Sequence, residues 1–540
     1  MGHQVSKDID EGLILEACYQ DNLIKQLYDK AKRKYLISVA EMNCPHAHCN
    51  LGRIYQNGLG STKKCHRRAW YHYQKAADRH QPVAEYLLCQ LLNCTSDQKG
   101  KGVKTRKHPS NRYNLKDQNG SIKKKNILYD DLIEYKVNMY IRSASQGVLF
   151  CGADDELVDG MKSGLTMWSI NVNKIKNELL DQLTAFTGAD ATQNQYIGSV
   201  YNRLGYVTLL SVSEVDSQRG KEAMDYYLIA SDLGCPSADF NISMMHKFGT
   251  GVDKDVASSN EFLQKAADDH HPIAQFLIVA SHFDELTLAS QEYQIKAAWC
   301  YHYAREASRL GFATTYFFLA IFYFHGVGGV TKNIPVAMNY LKLAVVSTDF
   351  AYFEGQKMAA YYLGYIYECM LHKTRHNYVV AAHFYSHAAR LGVSEALIRL
   401  GKMFEKRKIQ LKGLSLTSFQ IAEILYLKAS QDDDNYNYAH YRLGKMYSNQ
   451  RYRHFYNYST AESYFKSALS EQSGRRSLRD YHRGILYEHG YGTDVDTELA
   501  KEFYYQEYKK CSNTYNIFEK NYCHKIAKRK DFINILQISG

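Results

Sequence analysis

Residues Ala47–Ala77 read AHCNLGRIYQNGLGSTKKCHRRAWYHYQKAA, and this stretch decides the fold. Its first part has the spacing of a helix that contains Gly52. Its last part places Ala69 and Ala76 seven residues apart, which is two helical turns and therefore one helix face. The Gly-x-Gly element at residues 58–60 predicts a chain reversal between these two helical parts, because glycine adopts positive φ without strain. The stretch therefore predicts a hairpin of two helices.

The same pattern recurs along the chain. An alanine or glycine in the first helix precedes an aromatic residue, a glycine turn follows, and the second helix has two alanines seven residues apart. A helix of this kind cannot bury its apolar face alone, so several copies must stack. The residues that define the repeat are Gly52, Tyr55, Gly58, Gly60, Ala69, Ala76, Ala223, Ala230, Gly249, Gly251, Tyr323, Gly326, Gly328, Gly364, Tyr367, Ala381, Ala388, Gly401, Gly444, Tyr447, Gly484, Gly490 and Gly492.

Glycine inside a helix costs about 1 kcal/mol relative to alanine, so its recurrence needs a packing reason. We expect the backbone of the second helix to approach closely at the glycine. Proline marks the other junction, because Pro45, Pro82, Pro236 and Pro272 all stand where a first helix should start. Proline suits the first helical position, since its fixed φ is helical and its missing N–H would have no partner there.

The repeat predicts an all-α, right-handed α-solenoid of about ten stacked hairpins with helical caps. One plausible helix, Val172–Phe186, interrupts the pattern. The predicted organisation is a tail and capping helices at 1–44, repeats 1 and 2 at 45–151 with a basic insertion at 93–125, an irregular insertion at 152–195, repeats 3 to 10 at 196–511, and a cap at 512–540.

These motifs resemble those of the Sel1-like repeat family, an α-solenoid family related to tetratricopeptide repeats. Good copies of the family pattern are Ala47–Ala77, Ser237–Ala267 and Ala359–Gly392, although the last has Met370 and His372 in place of the glycine turn. The tetratricopeptide pattern fits less well, because its period is fixed at about 34 residues and it lacks this turn. The resemblance implies a non-catalytic scaffold or adaptor in membrane-protein complexes, signalling or host interaction.

Charge is concentrated in one segment. The chain has a formal net charge of +11, and residues 93–125 contain ten lysines and arginines against two aspartates. This pattern predicts a solvated loop that could contact an anionic membrane, an acidic protein or RNA, and the scarcity of aromatic residues in it argues against nucleic acid. The irregular cysteine spacing indicates reduced thiols, so we expect a cytoplasmic protein.

The first residues, MGHQVSK, match the N-myristoylation pattern with Gly2 as the acceptor. One myristoyl chain binds membranes only marginally, and a basic segment is the usual second signal. The sequence therefore predicts peripheral membrane association if Gly2 is acylated, which metabolic labelling with a myristate analogue tests.

The sequence predicts no enzyme, no cofactor and no metal site. Residues 44–49, CPHAHC, contain four potential ligands, but a helix places them on two faces, so we interpret them as structural. The alternative is a metal-dependent enzyme that uses Asp154, Asp155 and Glu156 within 152–195. The favoured hypothesis is a scaffold whose concave surface holds protein partners, with surplus tyrosines lining the groove; these are Tyr436, Tyr438, Tyr452, Tyr456 and Tyr458.

Overall fold

The computed structural model describes most of the chain between residues 21 and 526. The described residues are 21–79, 83–85, 87–88, 91, 145, 165–184, 191–210, 217–283, 285, 290–309, 315–346, 353–411, 416–432, 436–450, 456–470, 478–512 and 524–526. Gly2, Pro82, the basic segment 93–125 and the carboxylates at 154–156 lie outside them.

The described residues are helical and contain no strand. The helices are α1 (Asp21–Met42), α2 (Pro45–Asn57), α3 (His66–Ala77), α4 (Leu165–Thr184), α5 (Ala191–Leu210), α6 (Ser217–Asp232), α7 (Pro236–Phe248), α8 (Val256–Asp268), α9 (Pro272–Ser281), α10 (Gln291–Arg309), α11 (Thr315–His325), α12 (Ile334–Val346), α13 (Phe353–Tyr365), α14 (Arg375–Arg390), α15 (Ser394–Glu405), α16 (Ser418–Ala429), α17 (Tyr436–Tyr447), α18 (Tyr458–Leu469), α19 (Asp480–His489) and α20 (Thr497–Ser512).

The helices pair into hairpins that stack in chain order. The closest packing joins the two helices of a hairpin, such as α2 with α3 or α17 with α18, and the next joins consecutive hairpins. This arrangement confirms the predicted all-α solenoid. Helix α1 packs on α12, far along the chain, as well as on α2, and its Tyr28 and Ala31 belong to the main apolar core.

Two helix bounds differ from the predicted ones. The helix expected at Val172–Phe186 spans Leu165–Thr184, seven residues earlier at its start. The next helix, α5, begins at Ala191 and so crosses the boundary placed at residue 196. The first turn of α5 is mostly polar, with Thr192 and Gln193, so the apolar pattern does not mark its start.

In six of the described hairpins, a glycine of the first helix seats an aromatic ring from the second helix. A Cβ atom built on Gly364 would lie 2.6 Å from Cδ1 of Tyr385, and one on Gly52 would lie 2.4 Å from Cδ1 of Tyr73. The expectation that the partner backbone approaches the glycine is therefore wrong: the close neighbour is the flat ring, which needs the space that a methyl group would fill. Gly205, Gly401, Gly444 and Gly484 seat Tyr227, Tyr426, Phe465 and Tyr504 in the same way.

The hydroxyl of the seated tyrosine is paired one helical turn beyond the glycine. Tyr385 donates to Glu368 at 3.0 Å, and Tyr73 donates to Gln56 at 2.6 Å. The acceptors stand four residues after Gly364 and Gly52, respectively. Tyr426 and Tyr504 pair in the same way with Glu405 and Glu488, so these four hairpins bury a ring and pair its hydroxyl.

The glycine turns adopt left-handed backbone conformations. Gly58 and Gly60 have φ of 69° and 68°, and Gly326 and Gly328 have 76° and 70°. In the α13–α14 hairpin, which lacks the Gly-x-Gly element, a π-helical turn at Ile366–Met370 replaces it. Glu368 lies within this turn and is buried.

Candidate functional site

A pocket opens on the side of the solenoid formed by first helices. Arg399 and Lys402 reach it from α15, and Arg442 and Lys445 from α17. His482 of α19 completes its wall, and the cavity measures about 410 Å³. Three consecutive hairpins therefore build one surface, which we call the first-helix pocket.

The first-helix pocket is basic and aromatic. Its described walls include Tyr438, Tyr441 and Tyr481, with one carboxylate, Glu368. Eight basic side chains line it, namely Lys373, Arg399, Lys402, Lys406, Lys408, Arg442, Lys445 and Lys525. A concave surface with charges of one sign concentrates the electrostatic potential, which favours anionic ligands.

Glu368 neutralises one side of this pocket. Its carboxylate accepts from Nζ of Lys408 at 3.0 Å and lies 3.9 Å from a terminal nitrogen of Arg399. Burial raises the pKa of Glu368, but the nearby Arg399 and Lys408 outweigh burial and hold the pKa below its usual value. The carboxylate is therefore ionised at neutral pH and fixes both cations.

The two arginines of the pocket are held by stacking and pairing. The Arg399 guanidinium lies 4.9 Å from the ring centre of Tyr365, and that of Arg442 lies 5.7 Å from the ring centre of Tyr426. Arg442 also pairs with Glu405. Arginine that is stacked and paired in this way loses little further entropy when it binds a ligand.

Lys402 lies among cations. Its ammonium donates to the hydroxyl of Tyr438 and sits 4.6 Å from the centre of the same ring. Burial first, and then the charges of Arg442 and Arg399, lower the pKa of Lys402 well below the usual lysine value. Burial and the nearby Lys402 also lower the pKa of His482, so the positive potential of the pocket acts on both side chains.

A repeated pentapeptide in the sequence marks this pocket. The pentapeptide Arg-Leu-Gly-Lys-Met occurs at 399–403 and again at 442–446. Its glycine seats the ring of the second helix, while its arginine and lysine both line the pocket. Among the surplus tyrosines, Tyr438 lines the pocket, Tyr436 packs on His440, Tyr456 and Tyr458 are exposed, and Tyr452 lies outside the described residues.

The CPHAHC segment forms a histidine pair within the hairpin. Nδ1 of His48 lies 2.9 Å from Nδ1 of His72, and Nε2 of His48 lies 2.8 Å from the side-chain oxygen of Asn43. Cys49 is buried beside them. In the part of the chain that the structure describes, no group of three or more histidine, cysteine or acidic side chains is placed to hold a metal ion.

Comparison with known families matches the Sel1 repeat at seven places, residues 45–80, 200–235, 236–271, 313–345, 357–393, 437–473 and 481–506. Each place coincides with hairpins that the structure shows. This chain is a Sel1-repeat protein. The resemblance stated from the sequence is thereby confirmed, including the copy at 357–393 that lacks the glycine turn.

Two solved structures also resemble this Sel1-repeat protein. One is c5321, a protective antigen of uropathogenic Escherichia coli strains with an SLR fold, which is 16% identical over 95% of this chain and 93% of its own, with a TM-score of 0.35. The other is a Sel1 repeat protein from Oxalobacter formigenes, 18% identical over 51% of this chain and 97% of its own, with a TM-score of 0.32. No curated protein is significantly similar in sequence.

Proposed function

We propose that this Sel1-repeat protein is a non-catalytic scaffold that binds a protein partner in the first-helix pocket. Sel1-repeat proteins generally act as protein-interaction scaffolds. The observation that carries the proposal is that α15, α17 and α19 present their polar and aromatic side chains to one shared cavity. A partner segment lying there would contact three hairpins at once.

A photo-crosslinking experiment tests this proposal. Ile485 lines the pocket, and Tyr505 is exposed on the second helix of the same hairpin, so the two form a matched pair of positions. We expect benzoylphenylalanine at Ile485 to crosslink one defined protein in the native cell, and the same residue at Tyr505 not to do so. Equal crosslinking at both positions, or none at Ile485, would contradict the proposal.

We also propose a cytoplasmic location, with membrane attachment if Gly2 is acylated. The support is the sequence pattern at Gly2 and the basic segment 93–125. No described helix is long and apolar enough to cross a membrane.

A further inference from the structure

Among the described residues that line the first-helix pocket, basic side chains outnumber carboxylates. Besides Glu368, the carboxylates close enough to act on its arginines are Glu395 and Glu405. Glu405 is engaged by Arg442 and by the hydroxyl of Tyr426, and Glu395 by the hydroxyl of Tyr361. In the part of the chain that the structure describes, eight basic side chains therefore line the pocket, against three carboxylates that line it or act on its arginines, and each of the three is engaged.

The excess is concentrated where the helices converge. Lys402 lies on α15 between Arg399 and the Arg442 side chain of α17, and its ammonium donates a hydrogen bond to the phenol of Tyr438. Burial and then Arg399, Lys406 and Arg442 lower the pKa of Lys525, which reaches the pocket from the segment 524–526. Cations from two hairpins and from the C-terminal segment thus repel one another across one cavity.

We propose that the first-helix pocket binds an oxyanion, a carboxylate or a phosphoryl group, carried on a peptide segment of the partner. The inference rests on the proposed scaffold function and names the chemistry of the segment that it holds. Arginines held by Tyr365 and Tyr426 provide directed donors, and Lys402 and Lys445 provide further ammonium donors. The anion complements the basic side chains that converge on this cavity.

A peptide fits this pocket better than a nucleic acid does. A single-stranded nucleic acid needs a basic track along its backbone with rings for successive bases. Here the basic residues converge on one cavity, and the tyrosine rings are engaged by neighbouring cations, as Tyr438 is by Lys402 and Tyr441 by Lys445 at 5.9 Å. This arrangement suits one or two acidic side chains of a peptide.

The binding test uses the full chain and defined probes. We expect hexaglutamate, or a hexapeptide with one phosphoserine among neutral residues, to bind measurably by calorimetry, and hexaglutamine not to bind. The double substitution Lys402→Gln with Lys445→Gln should weaken that binding about tenfold or more, the scale of one or two charged hydrogen bonds. Lys466→Gln is the matched control, because Lys466 lies on α18 with 63% of its side chain exposed.

The same measurement has a pH signature. A bound anion raises the pKa of Lys402, so binding takes up protons. Above about pH 6, where the glutamates are fully ionised, the affinity for hexaglutamate should therefore fall as the pH rises through the range in which the free pocket loses the Lys402 proton. The decrease of the affinity for hexaglutamate with rising pH should be smaller in Lys402→Gln. The charged and titratable groups that act on Lys402 are Arg399 and Glu395 of its own helix, Arg442 and Tyr438 of α17, Glu368 of the π-helical turn and His482 of α19.

Several results would overturn the inference. These are absence of binding by both acidic peptides, binding of inorganic phosphate alone, tighter binding of oligouridylate than of either peptide, or equal weakening by Lys466→Gln. Failure of the scaffold proposal is separate, because the crosslinker at Ile485 replaces an uncharged side chain. If that crosslink persists while the acidic peptides do not bind, the scaffold stands and the oxyanion inference is wrong.

Discussion

Gly364→Val is expected to lower the free energy of unfolding by about 3 kcal/mol, the upper part of the range for overpacking a core. The new side chain would start 2.6 Å from the ring of Tyr385. That ring is fully buried, and its hydroxyl is tied to Glu368, so it cannot move aside cheaply. Chemical denaturation monitored by circular dichroism measures the change.

Two further variants make this prediction specific to the ring seat, which is the contact between the glycine of a first helix and the aromatic ring of its second helix, here Gly364 and Tyr385. Lys357→Val adds the same branched side chain to the same helix α13 at a partly exposed position, and should cost less than about 1 kcal/mol. Gly364→Ala combined with Tyr385→Leu should be more stable than the sum of the single changes by about 1 kcal/mol or more. A strictly additive double variant would show that the glycine has another role.

Acidification is expected to destabilise the fold between about pH 6.5 and pH 4. Burial lowers the pKa of His46, His72, His383 and His387 to about 4, and that of His482 well below the usual value. Below about pH 6.5 the unfolded chain therefore binds protons that the folded chain does not. Each buried histidine removes up to about 1.4 kcal/mol of stability per pH unit in that window, so the sum reaches several kcal/mol.

A pair of histidine variants separates this effect from the titration of carboxylates. His383 is fully buried, whereas His376 is exposed on the same helix α14. His383→Asn should reduce the slope of unfolding free energy against pH by about one proton between pH 4.5 and 6, and His376→Asn should leave it unchanged. Equal slopes in wild type and His383→Asn would contradict the assignment.

The hairpins could be predicted from the sequence because each depends on local residues. Proline at the first helical position and glycine at positive φ act within one turn, and Pro45 and Gly58 occupy those positions in the structure. The alanine column is equally local, and Ala69 and Ala76 are fully buried. Spacing alone is enough to detect such features.

The ring seat could not be predicted in full, because it joins residues of two helices. The hairpin of α11 and α12 contains a sequence signal for this contact. It has Ala320 at the position equivalent to Gly364 and Leu341 at the position equivalent to Tyr385, and both are buried. Leucine is smaller than an aromatic ring and leaves room for the methyl group of alanine. The two positions therefore change together between hairpins, which indicates that the ring contacts the glycine.

The first-helix pocket was less accessible to sequence reasoning, because its charge is spread over residues 368 to 525. Arg399 and Arg442 are far apart in sequence and look like ordinary exposed helix residues. Only the stacking of successive hairpins brings them to one cavity. The repeated Arg-Leu-Gly-Lys-Met at 399–403 and 442–446 is the sequence signal for the pocket, and it contributes far less charge than the basic segment 93–125.

Hydrogen exchange of the full chain with and without saturating hexaglutamate tests most directly whether three consecutive first helices form one binding surface. The account predicts slower exchange in peptides that cover Ser394–Glu405, Tyr436–Tyr447 and Asp480–His489, with unchanged exchange in Pro236–Phe248 and Val256–Asp268. Slower exchange confined to second helices, or spread evenly along the solenoid, would contradict it.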